Sequence, residues 1–324
     1  MGQVQTVLGP VDASRLGTTL MHEHVFILSP EVQKNWPTGW DEERAVAEAT
    51  ERLNDLAAAG VSTLVDLTVV GLGRDVRLVR RVAEQVNVNI VVATGLYTYD
   101  SLPHYFDYRT AAIRPDHVDA LEDFFLLDAE EGIAGTGIRP GMLKCATDKP
   151  GVTDGVERVL RAVARVHRRT GIPISTHTDA RTRRGLDQQR IFESEGVDLS
   201  RVVIGHSGDS TDLEYLEELL SAGSTLGMDR FGVDVYCPED ERVETVARLC
   251  EMGFASQLVL SHDASCHVDW FDEELLRAVT PTWNFLHLTT TILPKLRARG
   301  VTDAQIDTML VEAPRRLLDS GPGY

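Results

Sequence analysis

The chain has 324 residues, is 43% hydrophobic and 25% charged, and carries a formal net charge of -18. That length admits one large α/β domain or two smaller ones, and the acidity disfavours nucleic acid and anionic membrane as partners. No apolar run approaches the ~20 residues of a membrane span, and no basic-then-apolar segment reads as a secretory signal. Met1-Gly2-Gln3-Val4-Gln5-Thr6 formally fits a myristoylation pattern, but the pattern is short and one acyl chain anchors only marginally.

Short apolar runs ending in polar residues alternate with helical patterns along the chain. Thr18–His22 reads as the first strand. Glu42–Ala59 places Ala45, Val46, Ala49, Leu53 and Leu56 at helical spacing and stops at Gly60. Strands follow at Val61–Leu67, Ile90–Gly95 and Gly141–Cys145. A helix over Val156–Arg169 is stopped by Gly171, and Pro173–His177 reads as a strand. Next come strand Val202–His206, helix Asp212–Ser221, strand Thr225–Asp229, helix Glu239–Met252 and strand Leu258–Asp263. The longest loop runs from Ala264 to about Phe285, and Thr302 opens a last helix towards Met309 and Leu310. Eight strands with helices between them predict a (β/α)8 TIM barrel, one domain over residues 1–324. A doubly wound sheet is disfavoured, because no glycine-rich phosphate loop follows the first strand. Cys145, Cys237, Cys250 and Cys266 form no C-x-x-C pair and read as free thiols of a reducing cytoplasm.

The strand ends carry the chemistry. His22 and His24 are one residue apart on a strand, so both imidazoles point the same way. Lys144, His177, His206 and Asp263 end four further strands, and all six would meet at the mouth of a barrel. Taken singly, each has a bland reading: a hydrogen-bonded core histidine, a snorkelling lysine, a helix-capping aspartate. Taken together, they describe more ligands than one ion needs. Imidazole and carboxylate suit Zn, Mn, Fe or Co, and without thiolates a structural zinc site is disfavoured. Six protein ligands can hold two divalent ions. Lys144 is the odd member, because a buried ammonium is costly and repels metal. A neutral lysine amine can instead capture CO2 as a carbamate, a carboxylate that bridges two ions.

The arrangement resembles the phosphotriesterase family of the amidohydrolase superfamily over nearly the whole chain. The matching landmarks are Gly17-Thr18-Thr19-Leu20-Met21-His22-Glu23-His24, Leu143-Lys144, Pro173-Ile174-Ser175-Thr176-His177, Ile204-Gly205-His206-Ser207-Gly208-Asp209, Met228-Asp229-Arg230-Phe231-Gly232 and Ser261-His262-Asp263. The resemblance implies that His22, His24 and Asp263 bind the more buried ion, that His177 and His206 bind the more exposed one, and that carbamylated Lys144 bridges. Within the family, Leu96-Tyr97-Thr98-Tyr99-Asp100 and Asp229-Arg230-Phe231-Gly232 look like the lactonases that hydrolyse N-acyl homoserine lactones. That resemblance implies a bridging hydroxide attacking the lactone carbonyl, Tyr97 and Arg230 at the substrate, and a promiscuous phosphotriesterase activity. It also implies a homodimer.

Chemically, the Tyr97 phenol can donate to the substrate, and Asp263 can take a proton and return it to the leaving oxygen. Asp209 either holds Arg230 or relays the proton outward. The bland readings are that Tyr97 only packs and Arg230 only pairs with Asp209. Tyr99 and the apolar members of the long loop, among them Cys266, Trp270 and Trp283, are candidates to line an acyl-chain pocket. Ala313-Pro314 departs from the Asn-Pro of many relatives, and Ser265 and His267 also differ, which bears on acyl preference. The alternatives are an enzyme working mainly on organophosphate triesters and a catalytically inactive, ligand-binding barrel; the latter predicts a missing ligand, and none is missing.

Overall fold

The computed structural model describes residues 2–110, 113, 118–319 and 321–324. An antiparallel hairpin, β1 (Gln3–Thr6) and β2 (Gly9–Asp12), precedes the barrel. Eight parallel strands follow: β3 (Thr19–Ile27), β4 (Thr63–Asp66), β5 (Asn89–Gly95), β6 (Met142–Ala146), β7 (Ile174–His177), β8 (Val202–Ile204), β9 (Thr225–Met228) and β10 (Leu258–Leu260). The barrel closes where Asp263 N donates to His22 O at 3.1 Å and His24 N donates to Ala264 O at 2.8 Å. A further strand, β11 (Ser265–Val268), then pairs with the outer half of β3.

Period-2 alternation sorts each strand between two cores. Val65, Val91, Ala93, Met142, Val203 and Val259 fill the barrel interior with Leu16 and Leu317. Their neighbours Leu64, Ile90, Val92, Leu143, Val202, Ile204, Leu258 and Leu260 pack outward against the helices. Lys144 lies two residues past Met142, so the same alternation turns it inward, one layer nearer the mouth. Helices form where expected, at Glu42–Ala58, Asp154–Thr170, Leu213–Ser221 and Glu239–Glu251. Thr302 caps a further helix, Asp303–Asp307, through a reciprocal box with Gln305.

Three sequence expectations change. The first strand does not end at His22: β3 continues to Ile27 and all nine of its residues are buried. Two strands stop short of the expected residues, because His206 and Asp263 take left-handed backbone at φ 58° and 56°. The segment after Asp263 is not a plain loop, since it contains β11 and a helix at Glu273–Val279.

Candidate metal centre

His22 and His24 point the same way, as alternation requires: His22 Nε2 lies 3.3 Å and His24 Nε2 3.1 Å from Asp263 Oδ1. Glu23, between them, points away. Its carboxylate accepts from His262 N at 2.9 Å, His262 Nδ1 at 2.7 Å and Ala264 N at 2.8 Å, gripping both sides of Asp263. That grip supports the left-handed conformation, which is costly for an aspartate and typical of functional sites. Lys144 Nζ lies 3.1 Å from His22 Nε2 and 3.3 Å from Thr176 O. The His177 and His206 ring centroids are 4.5 Å apart, and His206 stacks on His22 at 4.8 Å. The six residues anticipated from the strand ends therefore share one buried space.

Each imidazole has one nitrogen facing this space and the other held from outside. His22 Nδ1 donates to Asp229 Oδ2 at 2.7 Å and His206 Nδ1 to Asp229 Oδ1 at 2.9 Å. His24 Nδ1 meets Thr68 Oγ1 at 2.8 Å, and that hydroxyl donates to Asp66. His177 Nε2 donates to Asp148 Oδ2 at 2.8 Å, leaving Nδ1 inward. Such outer partners fix tautomer and ring orientation at metal sites. His22, His24 and Asp263 offer ligand atoms within 4.8 Å of one another, and so do His22, His206 and Asp229. In the second group both Asp229 oxygens already sit on outward nitrogens, so Asp229 orients the rings rather than offering a ligand.

The electrostatics favour ligand forms. Burial holds His22, His177 and His206 neutral, pushing His177 down to about 4. Burial raises the Asp263 carboxyl, but the polar groups packed round it, among them the Arg230 guanidinium, outweigh that and hold it well below the usual carboxylate range. Lys144 is pushed down to about 8 by burial, so a sizeable fraction is neutral amine at mildly alkaline pH. Neutral imidazoles, an ionised carboxylate and a nucleophilic amine match what two divalent ions and a carbamate require.

Substrate-side residues flank the centre. The Tyr97 hydroxyl lies 3.2 Å from His177 Nδ1 and hydrogen-bonds the Tyr99 hydroxyl. Burial, reinforced by Tyr99, raises the Tyr97 phenol well above its ordinary value, so it stays a donor. Arg230 Nε donates to Asp263 Oδ2 at 3.0 Å and its Nη1 to Asp209 Oδ2 at 2.8 Å. Its guanidinium also stacks on Tyr236, 4.5 Å from the ring centroid. A cavity of about 210 Å³ opens here, lined by Tyr99, Asp148, His177, Asp209, Arg230 and Tyr236 among others.

The long segment after Asp263 does not supply the expected apolar lining. Cys266 is buried and lines a different cleft of about 770 Å³, with Trp40, Arg52 and Trp283, which shares no lining residue with the cavity at the centre. It belongs to the outward core because β11 runs alongside β3 and faces the helix Glu42–Ala58. Trp283 ties the top of the barrel by donating Nε1 to His262 O at 2.9 Å. Trp270 is 45% exposed and absent from both linings. Asp148, Asp66, Thr68, Glu23, Tyr236 and Arg242 were not anticipated as site residues. For Asp148 and Asp66 a signal existed, a carboxylate at or just past a strand end.

A model of the phosphotriesterase family matches residues 2–318. The chain belongs to the phosphotriesterase family. It is 58% identical over 325 residues to a phosphotriesterase homology protein of Mycobacterium tuberculosis, covering all of both chains. It is 37% identical over 308 residues to an aryldialkylphosphatase of Saccharolobus solfataricus, covering 94% of this chain and 96% of the other. The solved structure of the phosphotriesterase from Mycobacterium tuberculosis superposes with a TM-score of 0.97 at 57% identity, over 99% of this chain and 100% of that one. The protein is thus a metal-dependent hydrolase of the phosphotriesterase type on a (β/α)8 barrel. The phosphotriesterase family uses a binuclear metal centre, and the buried histidine and aspartate groups fit one. Among the described residues, no helix is long and apolar enough to cross a membrane.

Proposed function

We propose that this phosphotriesterase-family hydrolase is a lactonase that opens N-acyl homoserine lactones and so quenches bacterial signalling, with weaker activity on phosphotriesters. His22, His24 and Asp263 would hold the more buried ion, His177 and His206 the more exposed one, with carbamylated Lys144 between them. Zinc suits this donor set best, though cobalt, iron and manganese share its preferences. When bound, the two ions supply Lewis-acid polarisation and a water activated at neutral pH.

The chain's own groups do the rest. The Tyr97 phenol, held protonated by burial beside His177, donates to the lactone oxygen and orients the ring. Asp263, ionised and bonded to Arg230, accepts the nucleophile's proton and returns it to the alkoxide oxygen as the ring opens. Arg230 keeps that carboxylate aimed at the cavity, and Asp209 holds Arg230. The observation that carries the lactone reading is this pairing of an always-protonated phenol with a clamped guanidinium on either side of the centre. The buried thiols, none paired, support a cytoplasmic setting. The homodimer implied by the family resemblance fits the exposure of Trp36, Trp270 and Phe271.

Tyr97→Phe removes the donor while keeping the ring. Its kcat/KM on a homoserine lactone is expected to fall about tenfold to a hundredfold, the scale of one transition-state hydrogen bond. An activated phosphotriester should lose less than about threefold. Equal losses on the two substrates would leave Tyr97 a packing residue and remove the lactone argument. Phosphotriesters as the main substrates are the competing reading, supported by the aryldialkylphosphatase relative.

A further inference from the structure

Arg242 is fully buried, although it belongs to the outer-layer helix Glu239–Glu251. Its Nε donates to Gly208 O at 3.1 Å, and its Nη2 donates to Asp209 Oδ1 at 2.9 Å and Val233 O at 3.3 Å. Its Nη1 is buried without a hydrogen-bond partner. The guanidinium lies 5.9 Å from the centroid of Phe231, the residue after Arg230. The burial of a guanidinium with one donor unpaired is costly, and its remaining donors go to two backbone carbonyls and the Asp209 carboxylate.

Asp209 is shared between two cations. One oxygen faces Arg242; the other accepts from Arg230, which in turn donates to Asp263. We propose that Arg242 is a positioning residue for the reaction: from behind, it fixes the Asp209 carboxylate so that Arg230 reaches Asp263 with its Nε. The proposal rests on Arg230 acting in the site as described above. A carboxylate relieved of Arg242 has both oxygens free for Arg230, and the favoured fork-to-fork pairing would draw the guanidinium towards Asp209 and off Asp263. Arg242 holds one oxygen back and leaves Arg230 divided between two carboxylates. The expected signature is a loss in kcat with KM little changed, because the perturbed contact is at the proton-handling carboxylate rather than at the substrate's binding groups.

The test is a double-mutant cycle on metal-loaded full-length protein, read with both a homoserine lactone and an activated phosphotriester. Wild type, Arg242→Met, Arg230→Met and the double variant are compared for kcat, KM, bound ions and Tm. Arg242→Met is expected to lower kcat about tenfold, with KM and ion content within about twofold of wild type. In the Arg230→Met background the same substitution should change kcat no further. Arg242→Lys, which keeps the charge but not the fork, should recover part of the loss. If Arg242→Met does not fold, Arg242→Lys takes its place in the cycle with an expected loss of about threefold. Equal losses in both backgrounds, or no loss in kcat, would overturn the proposal and leave the role of Arg230 standing. An unchanged kcat for Arg230→Met on both substrates would remove the role of Arg230, and this proposal with it.

Discussion

Lys144→Ala is expected to abolish hydrolysis and to leave the purified protein with at most one firmly held ion per chain. Lys144 is 1% exposed, on a strand whose other inward residue is Met142. Among the described residues, no carboxylate accepts a hydrogen bond from its ammonium; Nζ meets His22 Nε2 and Thr176 O. A structural lysine with such poor compensation would be a net cost. Converted to a carbamate, it becomes an anion among neutral imidazoles, by adding its amine nitrogen to CO2 with loss of one proton. Alanine would remove the proposed anion and leave room for a substitute. Activity should fall at least about a thousandfold, on the scale of the several kcal/mol that metal ions contribute to such reactions. Millimolar acetate or propionate, small enough for the space vacated by the side chain, should restore part of it. Full activity in Lys144→Ala without any additive would show that the lysine has no ligand role.

Asp229→Ala should have the second largest effect, and a different one. This carboxylate holds His22 Nδ1, His206 Nδ1 and the His206 backbone N–H, at 2.7, 2.9 and 2.8 Å. It therefore orients one ring from each proposed metal subsite. Losing an outer partner typically weakens metal affinity by about 10–100-fold, and here two rings lose theirs together. Burial raises the Asp229 carboxyl, but His22 beside it outweighs that and keeps it ionised, so the pair is also structural. Removal should lower stability by about 3 kcal/mol, because three buried donors lose their acceptor. Chelator competition would show both subsites emptying at lower chelator concentration than in wild type, with a lower Tm for the metal-free protein. Unchanged ion retention would mean that the rings are held by packing alone.

Period-2 alternation and the polar strand ends were sufficient to locate eight strands and to bring six residues to one mouth. What the sequence hid has local causes. His206 and Asp263 adopt left-handed backbone without the glycine that normally signals it, so the strands before them end earlier than their apolar pattern implies. Apolar composition put Cys266 and Trp283 in the substrate pocket, but composition does not say which side of a segment faces the centre. The pairing of β11 with β3 turns Cys266 to a separate cleft, which Trp283 also lines. Asp229 meets His22 across 207 residues and Arg242 meets Asp209 across 33, and nothing in their immediate neighbours announces either contact. The candidate ligands were legible because each is a polar residue in or just past a short apolar strand run. The groups that aim them were not, because aiming depends on which strands become neighbours.

The central claim, a binuclear centre specialised for lactones, is tested most directly by kcat/KM of the two-ion protein on an N-acyl homoserine lactone series and on an activated phosphotriester, measured side by side. At least one lactone chain length is expected to be preferred over the phosphotriester by about tenfold or more. Lactones left intact at every chain length, by protein that still cleaves the phosphotriester, would contradict it.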